Sequence, residues 1–206
     1  ALAFRTFIDP NDPDDVQAAH AAQDGIVVSG GGSGPFEAPD WNTEQLAVAR
    51  KALNDLAAEI SFDSARAFGR KDEVDPVHFL IGGIAGWAGL PAHGAVYLID
   101  AVDRNDDQTP YAVTAQDVPV DAFWSITVYN ADGYMEPNEL GRNNYNNVTA
   151  EPNDDGSITI HLGGCDDGRV NCIPITPGWS YAVRLYQPRE EIIDGSWRFP
   201  VFEAIN

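Results

Sequence analysis

From Ala95 onward, apolar residues recur at every second position, and that period restricts the chain more than any other feature. Trp124, Ile126 and Val128 alternate with Ser125, Thr127 and Tyr129. Ile158, Ile160 and Leu162 alternate with Ser157, Thr159 and His161. Trp179, Tyr181, Val183 and Leu185 alternate with Ser180, Ala182, Arg184 and Tyr186. Successive side chains of an extended strand point to opposite faces, so each run puts one apolar face on a core and leaves a polar face outside. The pattern predicts strands over Ala95–Val102, Tyr111–Ala115, Ala122–Asn130, Tyr145–Thr149, Ser157–Leu162 and Trp179–Gln187. Asp154-Asp155-Gly156 reads as a hairpin turn feeding Ser157. Links this short cannot carry the crossover helices that parallel strands require. The expected fold class is therefore mainly β: an antiparallel β-sandwich, jelly-roll-like, with an N-terminal helical segment.

Upstream the period is helical. Asn42-Thr43-Glu44 caps a stripe of Leu46, Ala49, Leu53, Leu56, Ala57 and Ile60, spaced by threes and fours. This predicts a helix inside 43–69, continuing with a bend through Phe62 and Phe68 to Gly69. The first forty residues read as an arm, with turn formers from Asp9 to Asp15, a short helix around Asp14–Gln23, and a flexible linker from Gly30 to Pro35. The expected division is an arm over 1–40 and a helix plus sandwich over 41–206. A segment carrying Gly82, Gly83, Gly86 and Gly89 separates the helix from the strands, and His78 and His93 are expected in loops. Pro188 ends the last strand, and a helical turn follows from Arg189 to Ile193.

The 206 residues include 32 acidic and 12 basic side chains, for a net charge of −20. Nucleic acid and anionic lipid are repelled by such a surface, which excludes phosphate-backbone binding as the main role. No apolar run reaches the ~20 residues of a membrane helix. Aspartates cluster in turn-like positions, such as Asp103, Asp106 and Asp107, and read as solvated loops of a protein suited to salty water. Calcium is the sharper reading. The run from Asp103 begins like an EF-hand loop, but Gln108 stands where the glycine belongs and Thr114 where the bidentate Glu belongs. No metal and no cofactor is expected. Cys165 and Cys172 enclose six residues beside Gly163, Gly164 and Gly168, and are expected to form a disulfide; zinc would lack a fourth ligand. The chain opens Ala-Leu-Ala without Met, as after removal of a signal peptide or a tag. With the disulfide this points to an oxidising compartment, periplasmic or extracellular.

Catalytic signatures are missing: no Gly-x-Ser-x-Gly, no dinucleotide fingerprint, no P-loop and no His-Glu-x-x-His occurs. One ordered set of motifs does stand out. It comprises Gly86-Trp-Ala-Gly-Leu-Pro, Ala95-Val-Tyr, Val118-Pro-Val-Asp-Ala-Phe-Trp-Ser-Ile-Thr-Val-Tyr129, then Gly133, Asn138 and Arg142. Asp155-Gly-Ser-Ile-Thr-Ile160, Asn171 with Pro174, Arg184-Leu-Tyr-Gln-Pro188 and Asp194-Gly-Ser-Trp-Arg-Phe-Pro200 complete it. Over roughly residues 80–202 the chain resembles the DUF1214 domain, often found with DUF1254. The resemblance implies a jelly-roll-like sandwich in mostly bacterial, often exported proteins, and no established reaction. The chain departs from it in two ways: Asn171-Cys-Ile-Pro174 replaces the usual Asn-Trp-Leu-Pro, and a short helical N-terminus stands in place of the DUF1254 half.

Three functional readings follow. In the first, the polar strand faces form a floor of Tyr129, His161, Arg184 and Tyr186. Arg142 and Tyr145 cover it from a loop over Asn143–Asn147, and the site holds a small polar or carboxylate-bearing ligand. The second is a hydrolase or lyase that uses His161 or a carboxylate, with Arg142 or Arg184 stabilising an anion. The third is structural, a homo-oligomer built through the N-terminal arm. Arg184 also has a plainer role open to it, a salt bridge to Asp194.

Overall fold

The structure is a computed structural model that describes residues 4, 6, 8, 9, 11–30, 37–60 and 62–205. The chain divides into two compact units, Ala1–Trp41 and Asn42–Asn206. In the first unit, α1 (Pro13–Asp24) starts where the Asp12 carboxylate accepts the N–H groups of Asp14 and Asp15. Most of the expected linker, from 31 to 35, lies outside the described residues.

The second unit opens with α2 (Thr43–Glu59), whose N-cap Asn42 accepts the Gln45 N–H. This helix stops at Glu59 and does not run on to Gly69. Asp63 starts a separate 3-10 turn, Ser64–Arg66, by accepting the Ala65 N–H, and a local side-chain bond of this kind competes with helix continuation. The glycine-bearing segment that separates the first helix from the strands is itself largely helical, as α3 (Pro76–Gly86). Asp75 accepts the N–H groups of Val77 and His78, and Pro76 supplies the helical φ of the first position. That start outweighs the roughly 1 kcal/mol each interior glycine costs. Gly82 is also needed there, because a Cβ at that position would lie 2.9 Å from the Ala67 Cβ. His78 is therefore a buried helix residue, not a loop residue. Its Nδ1 accepts the Asp63 N–H and its ring stacks on Phe62.

The remainder is mostly β. Its strands are β1 (Ala95–Asp100), β2 (Tyr111–Ala115), β3 (Trp124–Tyr129), β4 (Asn144–Asn146), β5 (Ile158–Leu162), β6 (Cys172–Ile173), β7 (Ser180–Tyr186) and β8 (Glu203–Ala204). One helical turn, α4 (Glu190–Ile193), lies between the last two. One sheet has the order β1-β7-β3-β4 and is antiparallel throughout. The other has the order β6-β5-β2-β8, and its β5–β6 pair is parallel. All six expected strands are present. β6 and β8, at two residues each, are too short to show any period. The Asp154–Gly156 turn does not join paired strands: β4 belongs to one sheet and β5 to the other.

One hydrophobic cluster among the described residues draws on both sheets, with Trp124, Ile126, Val128, Val183 and Leu185 from one and Val113, Ile158, Ile160 and Leu162 from the other. Trp179 is fully buried within it, and its indole N–H donates to the Asp106 carbonyl at 3.0 Å. Edge strand β1 is closed off by Ser64, whose hydroxyl accepts the Tyr97 N–H and donates to the Tyr97 carbonyl. Among the described residues no helix is long and apolar enough to cross a membrane.

Candidate functional site on the outer face of a sheet

Register decides which polar residues share a face. Arg184 on β7 lies opposite Tyr97 on β1 and Ser125 on β3, with Thr127 and Tyr129 further along β3. The flanking residues Val183 and Leu185 are buried in the cluster, so Arg184 points outward. Its guanidinium is half-buried. Nη1 donates to the Thr127 hydroxyl at 2.9 Å, Nη2 donates to the Tyr129 hydroxyl at 2.6 Å, and the cation sits 5.9 Å from the Tyr129 ring centroid. Among the described residues no carboxylate lies within ion-pairing distance of it. The expected alternative bond to Asp194 is not made: that carboxylate accepts the Ser196 N–H, which holds its pKa below the usual range. Tyr186 shares the face, with its ring stacked on Phe123 at 4.3 Å.

The other expected site residues lie elsewhere. His161 is on β5, in the second sheet, between Ala112 of β2 and Cys172 of β6. Its neighbours Ile160 and Leu162 are buried in the shared cluster, so it faces away from that cluster on the side opposite Arg184. The two residues cannot act on one small ligand, which removes the geometric basis for a His161–Arg184 hydrolase. The His161 ring is also tied down, with Nδ1 2.9 Å from the Val170 carbonyl. Tyr145 pairs with Ile126 and so turns toward the core, where it packs against the cluster. Arg142 stacks over the Tyr145 ring at 5.4 Å. The 143–147 segment is not a cover over the sheet, because Asn144–Asn146 is its edge strand. The pattern near Tyr145 suggested a strand, but only pairing with β3 shows which way the ring turns.

Cys165 and Cys172 form the expected disulfide, with their Cα atoms 5.6 Å apart. It closes a loop in which the Asp167 carboxylate pairs with Arg169, whose hydrogen bonds hold the Asp167 pKa down at about 2. Gly163 begins this loop with φ +79°, and a Cβ there would meet Ile175 at 2.5 Å. Asn171, part of the motif set, is structural: its amide donates to the Glu151 and Thr159 carbonyls and accepts the Glu151 N–H. Beside the disulfide, a cleft of about 410 Å³ is lined by Asp107, Glu139, Leu140, Gly164 and Asp166 among others. Its lining comes from four separate loops, so no contiguous motif announces it. Among the described residues no three His, Cys, Asp or Glu side chains form a metal-binding group.

Residues 94–190 match the family model DUF1214, described as a protein of unknown function, over the central part of the span whose motifs resemble that domain. The match is shorter than the motif span: Gly86–Leu90 and Asp194–Pro200 fall outside it. The crystal structure of the VPA0106 protein from Vibrio parahaemolyticus is similar at a TM-score of 0.59 and 24% identity, over 84% of this chain and 48% of that one. A putative uncharacterized protein from Burkholderia cenocepacia is similar at 17% identity and a TM-score of 0.41, over 82% of this chain and 44% of that one. The chain thus spans about half the length of both solved structures. No curated protein matches it.

Proposed function

We propose that this chain is a binding module, a jelly-roll-like β-sandwich that holds a small carboxylate-bearing ligand on the outer face of the β1-β7-β3-β4 sheet, with Arg184 as the anchor. One observation carries the reading. In a chain with 32 acidic residues, the half-buried Arg184 guanidinium is met by two neutral hydroxyls and no described carboxylate. A guanidinium has five N–H donors in a planar fork matched to a carboxylate. Thr127 and Tyr129 take one each, orienting the fork and leaving donors for a ligand. Partial burial strengthens the attraction over that of an arginine in open water. Tyr129 adds an aromatic surface for an apolar body attached to the carboxylate. In this reading residues 1–40 are an appended arm to the folded domain over 41–206, and the protein is exported, in keeping with its disulfide.

The test is a thermal-shift panel of small mono- and dicarboxylates, each paired with its neutral amide. Carboxylates are expected to raise the melting temperature and amides are not. Arg184→Met keeps the stem and removes the charge, and it should abolish the shift while the unliganded protein still melts cooperatively. If no carboxylate stabilises the wild type, or the variant responds as the wild type does, the reading is wrong. A variant that barely folds would make Arg184 a clamp between β7 and β3 instead.

A further inference from the structure

We infer that the outward face of α3 is a self-association surface through which two copies of this chain pair about a two-fold axis near Gly83. Both sides of α3 are apolar, but one is covered and the other is exposed. His78, Ile81 and Gly82 bury one side of α3 against the domain, yet the opposite side is as apolar as the buried one. Trp87 is 79% exposed, Leu80 57% and Phe79 54%, with Val77 and Leu90 also in solvent. A helix that is apolar all round belongs in an interior, and a contiguous exposed patch marks an interface.

Charge identifies the partner. None of the 24 residues from Pro76 to Ile99 is Asp, Glu, Lys or Arg, in a chain where 21% of residues are charged. A cationic partner would find no carboxylate here and would be drawn to other surfaces. A second copy also carries −20 and would be repelled along almost every approach except one that sets two uncharged patches together. Depletion of charge at the centre, with aromatic residues present, is also the compositional mark of an interface core.

The spacing is self-complementary. In a two-fold pair the same patch serves both copies, so residue i of one meets j of the other and the reverse. With two α3 helices antiparallel and Gly83 at the axis, Phe79 falls opposite the second copy's Trp87 and Leu80 opposite its Gly86. Large residues then flank a central glycine. Among the described residues, nothing lies within 4 Å of the positions a Cβ would take on Gly83 or Gly86, so two helices can approach there. The exposed side chains offer on the order of 500 Å² per copy. Two copies would cover about 1,000 Å², the size at which a specific interface becomes credible.

The test uses the whole chain. Sedimentation equilibrium over 1–100 µM is expected to show a reversible shift toward twice the 22.3 kDa chain mass. Leu80→Glu places a carboxylate on the patch of each copy and should return the protein to monomer, with its melting curve unchanged at low concentration. Gly83→Cys, sited at the axis, should cross-link to a covalent dimer under mild oxidation. Ala52→Cys on the exposed side of α2 should not. A wild type that stays monomeric throughout overturns the inference. A dimer that withstands Leu80→Glu and leaves Gly83→Cys uncross-linked also overturns it, and would move the contact to another surface such as the N-terminal arm.

Discussion

Arg184 and His161 hold matching places in the two sheets. Each projects outward from an interior strand, each is followed by a residue of the shared core, and each has a threonine on its own face, Thr127 for Arg184 and Thr159 for His161. Their surroundings differ. The His161 imidazole is held by the Val170 carbonyl, inside a loop closed by the Cys165–Cys172 disulfide and stiffened by the Asp167–Arg169 pair. Among the described residues, Arg184 meets the hydroxyls of Thr127 and Tyr129 and the Tyr129 ring, and no carboxylate pairs with it. A polar residue on a sheet face becomes a candidate site when its neighbours orient it without neutralising it. Where a loop supplies a full partner, the same exposure is structural.

Breaking what the two faces share gives the largest expected effect. Trp179 packs edge-on to Tyr111 of one sheet and tilts against Tyr181 of the other. Trp179→Ala should cost about 3–5 kcal/mol in urea unfolding, with signals from both faces lost in one transition. If the two faces unfold separately, they do not rest on one core.

The disulfide separates the faces. Replacing Cys165 and Cys172 by serine removes a crosslink across a short loop, and a stability loss of about 2 kcal/mol is expected. Imidazole resonances of His161 should shift in NMR spectra, whereas the Arg184 Nε–H resonance should stay in place. Movement of the Arg184 signal would mean that the faces are coupled.

Alkaline pH tests the sheet beneath Arg184. Burial, aided by the Asp100 carboxylate, pushes the Tyr181 pKa from 10.0 up to about 12. Because the folded pKa is the higher one, the contribution is fully present below pH 10 and is lost between pH 10 and 12. The loss should be about 2 kcal/mol and should be reduced in Tyr181→Phe. An alkaline profile identical in the variant would remove Tyr181 from the account.

Salt gives the smallest effect. Thirty-two carboxylates against twelve cations repel one another in the folded state, so raising NaCl from 20 mM to seawater strength should raise the melting temperature by a few degrees. A flat or falling curve would show that the carboxylates are already spaced beyond mutual influence. Carboxylate-induced stabilisation through Arg184 should weaken over the same range, which gives a further contrast with the tethered His161.

Strand parity was readable from the residues alone. Alternation is a property of one extended segment, so Ile126 and Arg184 declared their opposite faces without knowledge of any partner. Short strands such as Cys172–Ile173 carry no period, and α3 was not expected, although Asp75 and Pro76 are the cap and first-turn residues that start it. The disulfide was legible because its two cysteines lie seven positions apart, within reach of a local turn. Which strands lie side by side was not readable, since pairing joins residues far apart in the chain and follows from how two apolar faces bury each other most fully. That pairing put Arg184 beside Tyr129 but His161 in the opposite sheet, turned Tyr145 inward, and made the 143–147 segment an edge strand. Local patterning set each residue's face, while the surroundings of Arg184 and His161 arose from the long-range packing that chose their neighbours.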